Sequence, residues 1–95
     1  MNSVKLDLRD VPAYIDRENK ELVQNVMKQL YNEIRDKTPV RSGKLKDGWE
    51  LLPEQIRNEV PYAGFIERGT EYISPVGMVA TTIENIDNII KQNVL

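Results

Sequence analysis

The sequence predicts an α+β domain in which a long N-terminal helix and a C-terminal helix pack on one face of a small, mainly antiparallel sheet. Three observations predict this fold class. Apolar residues alternate with charged ones near the N-terminus, they recur every three or four residues in two longer segments, and a hairpin pattern lies between those segments. With 95 residues and no internal repeat or linker, we expect a single domain over 1–95.

The first two predicted elements are a strand and a long helix. Apolar residues occupy every second position over 4–8, as on a half-buried strand, and Pro12 ends this pattern. A helical stripe of apolar residues follows, with Asp16 as its predicted N-cap. Because a residue before proline disfavours helical backbone, Pro39 predicts that this helix ends near Lys37.

The middle of the chain predicts a loop followed by a β-hairpin. Proline, glycine and alternating charges with few apolar residues indicate an exposed loop over 39–46. Strand patterns over 49–52 and 55–60 flank a turn at 53–54, which favours a hairpin. Trp49, the single tryptophan, is expected in the core, and an interface anchor is the alternative.

Two further helices are predicted to complete the domain. Pro61 suits the first turn of a short helix that ends at Gly69, and Phe65 and Tyr62 are expected to pack on the domain from one face of it. Ser74 and Pro75 then form an N-cap and first-turn signal. The apolar spacing after them predicts a single amphipathic helix to the C-terminus.

The composition excludes several kinds of chemistry. Cysteine and histidine are both absent, so thiol nucleophiles, disulfides, thiolate zinc sites and histidine-based triads are excluded. The remaining carboxylates, lysines and tyrosines form no recognisable catalytic cluster, and we expect neither an enzyme nor a cofactor or metal. No apolar run is long enough to span a membrane, so we expect a soluble protein made in the cytoplasm.

Charge is divided unevenly along the chain. Residues 1–48 hold ten Lys or Arg against eight Asp or Glu, whereas residues 49–95 hold three against seven. The basic stretch 35–46 is either a solvated loop or one side of an electrostatic contact with the acidic half of a neighbouring subunit. Glu67 is either a solvated carboxylate at a helix end or an acceptor for loop amides or for a basic side chain of the loop.

Two motifs in register resemble one protein family. Residues 38–49 (TPVRSGKLKDGW) and 58–70 (NEVPYAGFIERGT) resemble a T-P-V-x-T-G-x-L loop and a Y-A-x-x-x-E-x-G-T helix. This pattern, with a final helix opened by a proline, is similar to that of the HK97 gp10-like family of tailed-phage neck and tail-completion proteins. The positions that carry the resemblance are Pro39, Gly43, Leu45, Trp49, Tyr62, Ala63, Gly69, Thr70 and Pro75.

The match to the family pattern has three departures. Arg41 stands where an acidic residue is common, Ser42 replaces the usual threonine but keeps a hydroxyl group, and the segment 75–78 lacks an aromatic residue that often follows the proline. The charge reversal at Arg41 means that a contact made by the family's acidic residue is not carried over to this chain.

The resemblance implies a structural virion protein of the phage neck. Such a protein completes the tail or joins it to the head connector, as part of a ring of six or twelve copies around the DNA channel, and its partners are other neck, connector or tail proteins. In a ring, one patch of each subunit meets a different patch of the next. We therefore expect the basic loop to contact acidic positions of a neighbouring protein, and the candidate interface residues are Arg41, Ser42, Lys44, Lys46, Glu59, Glu67 and Glu71.

Two other functions remain open on the sequence. A small regulatory or nucleic-acid-binding module would use the basic stretch 35–46, and its DNA binding would depend steeply on salt. An enzyme that depends on a carboxylate would need Glu67 together with a second group that the sequence does not identify.

Overall fold

A computed structural model describes residues 3–40, 43–72 and 74–94 of the chain. These ranges form an α+β fold with a three-stranded antiparallel sheet, as predicted. In chain order the elements are strand β1 (Val4–Asp7), a 3-10 turn (Leu8–Asp10), helix α1 (Lys20–Asp36), helix α2 (Lys44–Asp47), strands β2 (Trp49–Leu51) and β3 (Gln55–Asn58), and helices α3 (Ala63–Arg68), α4 (Met78–Glu84) and α5 (Ile86–Asn93).

The sheet has the order β1-β3-β2, with the second strand of the hairpin in the centre. Ile56 of β3 lies opposite Leu6 on one side and Leu51 on the other, and Asn58 lies opposite Val4 and Trp49. Because side chains alternate between the faces of a strand, this register sends one set into the core and leaves charged residues on the outer face.

Helix α1 lies across the inner face of the sheet. It contacts β2 and β3, and it also packs against α4 and α5. The stripe predicted from the sequence is the buried one, since Val26, Leu30 and Ile34 are fully buried. One core therefore joins the sheet to the N-terminal and C-terminal helices. Its buried apolar members are Val4, Leu6, Val11, Ile15, Val23, Val26, Met27, Leu30, Ile34, Leu45, Trp49, Ile56, Ala63, Met78, Val79, Ile86, Ile89 and Ile90.

The predicted N-cap of α1 at Asp16 is wrong. Asn19 is the N-cap, and its side-chain oxygen accepts a hydrogen bond from the Leu22 amide at 3.1 Å. Asp16 instead closes the preceding turn, where its carboxylate accepts the Glu18 amide at 2.9 Å and its carbonyl accepts the Asn19 amide at 3.1 Å. The apolar stripe begins at Leu22, after both Asp16 and Asn19, so it does not indicate which of the two residues caps the helix.

The predicted loop over 39–46 also needs correction. Its second part is the one-turn helix α2, which begins after Gly43 and buries Leu45. A helix of four residues has too few positions to show a helical period, so the sequence pattern predicted only an exposed loop. The β-hairpin that follows is confirmed, although both strands are shorter than predicted.

The C-terminal segment differs most from the prediction. The helix does not begin at Ser74 and Pro75, which lie in an exposed segment, but after Gly77, whose φ of 65° is left-handed. Two helices replace the predicted single one, and they meet at Asn85. The buried positions Thr82, Ile86 and Ile90 keep a step of four across this junction, which is why the periodicity did not reveal it.

Within the ranges that the structure describes, no helix combines the length and apolarity needed to cross a bilayer.

Candidate interaction surfaces

The first motif surrounds a hydrogen-bonded tryptophan. Trp49 is buried, as predicted, and its indole nitrogen donates to the Thr38 hydroxyl at 2.8 Å. That hydroxyl in turn donates to the Ile34 carbonyl at 2.7 Å. Thr38 therefore connects the end of α1 to the start of β2, and Pro39, which is exposed, directs the chain away from the helix. The threonine of this motif has a structural role.

A buried asparagine joins the first motif to the second. The Asn58 side-chain amide donates to the Leu45 carbonyl at 2.7 Å, and its oxygen accepts the Val60 amide at 3.0 Å. Gly48 lies against this group, because a Cβ atom there would stand 2.5 Å from a Val60 methyl carbon and 2.9 Å from the Asn58 oxygen. Helix α2 and the end of β3 are thereby held together at one end of the sheet.

The second motif forms α3 and its ends. Ala63 is fully buried, the carbonyl of Tyr62 accepts amides of the first turn, and Gly69 ends the helix with a φ of 76°. Thr70 then accepts the Tyr72 amide on its hydroxyl oxygen at 3.1 Å. The expected packing is confirmed for Tyr62, which is partly buried, but it is wrong for Phe65, which is 49% exposed.

Glu67 caps the helix that follows it. Its two carboxylate oxygens accept the backbone amides of Val79 at 2.9 Å and Ala80 at 3.0 Å, in the first turn of α4. A carboxylate at this position satisfies unpaired amides and complements the positive end of the helix dipole. Glu67 is therefore an acceptor of backbone amides, but these amides belong to the first turn of α4 and not, as the sequence predicts, to a loop.

The same region anchors the chain before α4. The Val76 amide donates to the Ile66 carbonyl at 2.9 Å, and the Gly77 amide donates to the Glu67 carbonyl at 3.0 Å. Both the side chain and the backbone of Glu67 thus connect α3 to α4. Pro75 lies within this anchored but exposed segment.

The basic stretch contains residues that already have partners within the chain. Arg35 lies 3.7 Å from Asp47 and stacks over the Tyr31 ring, and Lys37 lies 3.5 Å from Glu33. Lys44 and Lys46 lie on α2, exposed and half-buried respectively, while Arg41 and Ser42 fall outside the described residues.

The three candidate acidic residues have different surroundings. Glu67 is occupied by the amides of α4, whereas Glu59 and Glu71 are exposed. Glu59 lies 3.5 Å from Arg57 on the outer face of the sheet. Since the Asn58 hydrogen bond places α2 beside the end of β3, Glu59 and the two lysines of α2 belong to the same end of the molecule.

Among the residues that the structure describes, the ionisable groups show no arrangement typical of a catalytic centre. A hydrogen bond of 2.7 Å to Asp87 raises the pKa of the Tyr14 phenol, but both side chains are exposed. Across the described ranges, no group of three acidic side chains is placed to hold a metal ion. These surfaces can make contacts through their charged groups and their exposed apolar side chains.

A comparison with protein families now identifies the chain. The family model described as "Bacteriophage HK97-gp10, putative tail-component" matches residues 3–69, more than two thirds of the sequence. The chain belongs to this HK97-gp10-like family. The resemblance predicted from the two motifs is confirmed, and both motifs lie almost entirely within the matched range. No curated protein and no solved structure gives a significant match.

Membership of the HK97-gp10-like family makes the chain a phage tail component, which is a structural class of protein. Such a component belongs to the virion and interacts with other tail proteins. The match ends at Gly69, so the exposed segment before α4 and both C-terminal helices lie beyond it.

Two surface features of this tail component were missed in the sequence analysis. A groove lies between the N-terminal half of α1 and the β2–β3 turn, and Tyr72 is 88% exposed. Part of the groove had a sequence signal, because Lys20 and Lys28 lie on the polar side of the apolar stripe of the predicted helix. The opposite wall had none, since only the fold brings the hairpin turn to this helix.

Proposed function

We propose that this tail component is a structural subunit of the phage neck, which completes the tail or joins it to the head connector. The observation that carries the proposal is the family match over residues 3–69, together with the hydrogen bond from Asn58 to Leu45 that joins the two motifs. Copies of the chain, six or twelve in number, form a ring around the DNA channel. The function requires no catalysis and no cofactor.

The proposed contact between ring subunits is electrostatic. The α2 lysines Lys44 and Lys46, with Arg41 and Ser42 before them, face acidic groups of the neighbouring subunit. Glu59 and Glu71 are the exposed acidic candidates, whereas the Glu67 oxygens already accept amides of α4. Charge complementarity of this kind selects the partner and its orientation more than it adds affinity.

A DNA-binding module is less well supported. Arg35 and Lys37 form ion pairs within the chain, so part of the positive charge of the stretch 35–46 is already compensated. The proposed ring brings the protein close to genomic DNA without a sequence-specific contact. Filter binding of duplex DNA at low and moderate salt tests the module directly, since phosphate contacts would give a steep loss of affinity with salt.

The proposal is tested by deleting the reading frame from the phage genome and complementing it in trans. We expect electron micrographs of the deletion to show filled heads and tails that are not joined, and expression of the wild-type chain to restore complete virions. A tagged copy should be located at the neck. Unaltered virions without the protein, or a tag located at the distal tail, would overturn the neck assignment.

A charge-reversal variant tests the interface separately. Arg41→Glu with Lys44→Glu and Lys46→Glu should fail to complement the deletion. The matched control reverses two exposed basic residues elsewhere on the surface, Arg9 and Lys91, and should complement. Equal complementation by the interface variant and the control would contradict the proposed contact while leaving the neck assignment intact.

A further inference from the structure

The groove beside α1 has the size and lining of a docking site for apolar side chains. Its volume is about 690 Å³, within the usual range for clefts that bind ligands or side chains of a partner. The wall formed by the hairpin turn includes Leu51, which is 42% exposed despite its apolar side chain. The apolar lining residues are Leu8, Val23, Met27, Leu51, Leu52 and Pro53.

The charged residues of the groove are predominantly basic. Arg17, Lys20 and Lys28 line it from α1 and the turn before it, and all three are exposed. Glu54 supplies the opposite charge from the hairpin turn. A partner segment that carries an apolar side chain beside a carboxylate would complement both the apolar and the basic lining residues of the groove.

The exposed segment after α3 has these complementary properties. Tyr72 is 88% exposed and directly follows Glu71, which is also exposed. Phe65 and Val76, at 49% and 38% exposure, add apolar surface nearby in sequence. Glu71 is the single charged residue between Gly69 and Gly77, so this segment is acidic where the groove is basic.

The two surfaces are separate on one chain. The described residues that line the groove all lie between Leu8 and Glu54, and Tyr72 is outside it. Tyrosine is enriched among the residues that anchor interfaces because its ring is large and its hydroxyl tolerates water. A nearly fully exposed tyrosine therefore offers contact area that the monomer leaves unused.

We propose that the groove of one copy receives Tyr72 of a second copy, with Glu71 of that copy against Lys20 and Lys28. The contact is heterologous, since a patch meets a different patch, and repetition of such a contact produces a ring or a filament. The inference rests on the proposed function. It adds a second contact between adjacent subunits and locates that contact at the groove and Tyr72.

Self-association of the purified chain is the first measurement. We expect sedimentation velocity to show concentration-dependent assembly that weakens as salt is raised. Tyr72→Ala, and separately Lys20→Glu with Lys28→Glu, should each raise the dissociation constant at least about tenfold. The matched controls, Tyr14→Ala and the pair Lys5→Glu with Lys91→Glu, should leave it within about twofold, and circular dichroism should show every variant folded.

Mixing the two defective variants gives a sharper readout. The Tyr72→Ala chain keeps its groove and the Lys20→Glu, Lys28→Glu chain keeps its tyrosine, so one intact junction remains between them. The mixture should therefore form a 1:1 heterodimer that grows no further. Variants that assemble like the wild type would overturn the proposal, as would a mixture in which larger assemblies form.

Cross-linking gives the geometry, since the chain has no native cysteine. Tyr72→Cys in one copy and Gln24→Cys, in the groove, in another should form an intermolecular disulfide on oxidation, in solution or in virions. The pair Tyr72→Cys and Lys91→Cys is the control. Failure of the first pair in both settings overturns the inference, whereas absence of the protein from the neck would overturn the proposed function instead.

Discussion

Thr38 connects the end of α1 to the core through a single hydroxyl group. That hydroxyl accepts the Trp49 indole hydrogen and donates to the Ile34 carbonyl, and all three residues are buried. Thr38→Val keeps the shape but removes the acceptor. We expect it to lower the free energy of unfolding by about 1–3 kcal/mol, because the indole nitrogen is left buried without a partner.

The matched variant for this position is Thr38→Ser, which keeps the hydroxyl and loses a methyl group. It should cost about 1 kcal/mol, less than the valine variant. Urea unfolding followed by the fluorescence of Trp49, the single tryptophan, measures both. If serine were as costly as valine, methyl packing rather than the hydrogen bond would explain the role of Thr38.

Gly48 is required for space rather than for backbone conformation. Its φ of −76° suits any residue, but a Cβ atom would stand 2.5 Å from a Val60 methyl carbon and 2.9 Å from the Asn58 oxygen. Gly48→Ala should therefore lower the free energy of unfolding by about 1–3 kcal/mol, since the neighbours must shift to make room.

A double-mutant cycle with Val60→Ala tests this cause. Removing the Val60 methyl groups should relieve part of the clash, so the double variant with Gly48→Ala should cost less than the two single variants added together. Urea unfolding measures each corner of the cycle. If the changes in the free energy of unfolding were strictly additive, the cost of Gly48→Ala would come from helix propensity or from the unfolded state and not from the clash with Val60.

At the scale of elements, α4 depends on a cap supplied by another helix. Glu67 of α3 accepts the Val79 and Ala80 amides, so Glu67→Ala should cost about 1–2 kcal/mol and increase hydrogen exchange at those two amides. Glu67→Gln, which keeps one acceptor oxygen without the charge, should lie between alanine and the wild type.

The control for this cap is Glu84→Ala in the last turn of the same helix. A carboxylate near a helix C-terminus opposes the dipole, so this change should not destabilise the fold. Amide hydrogen exchange and urea unfolding are measured on all three variants. Unchanged exchange at Val79 and Ala80 in Glu67→Ala would contradict the capping role.

The elements that the sequence predicted correctly are those with a long or strict period. Helix α1 has enough turns for its apolar stripe to be unambiguous, and β1 alternates cleanly. The errors arise where local signals compete. Asp16 and Asn19 are both good N-caps, and Ser74-Pro75 matches a helix start that Gly77 provides instead, because bonds to α3 keep Val76 and Gly77 in place.

The candidate surfaces were less predictable because they depend on contacts distant in sequence. The Glu67 carboxylate binds amides 12 and 13 residues away, which no local pattern encodes. Lys20 and Lys28 were visible in the sequence on the polar side of the α1 stripe, but the apolar wall opposite them comes from the hairpin turn. Phe65 shares a face with residues that do pack, yet α3 is too short to bury the whole face.

At the scale of the whole molecule, the family match and the folding unit have different boundaries. The match ends at Gly69, but α1 packs against both α4 and α5, which lie beyond it. The C-terminal helices are therefore as much a part of the core as the sheet. Their buried apolar residues are Met78, Val79, Ile86, Ile89 and Ile90.

A chain that ends at Gly69 should consequently fail to fold. Removing the five buried apolar side chains of α4 and α5 forfeits on the order of 10 kcal/mol of burial, comparable with the whole stability of about 5–14 kcal/mol expected at this size. Circular dichroism and amide dispersion in proton NMR spectra measure the loss. A chain that ends at Lys91 is the control and should stay folded, because it keeps all five buried residues; among the described residues it removes the exposed Gln92 and Asn93 and the partly buried Val94. Cooperative unfolding of the shorter chain would show instead that the matched range folds alone, with the C-terminal helices as an addition to its surface.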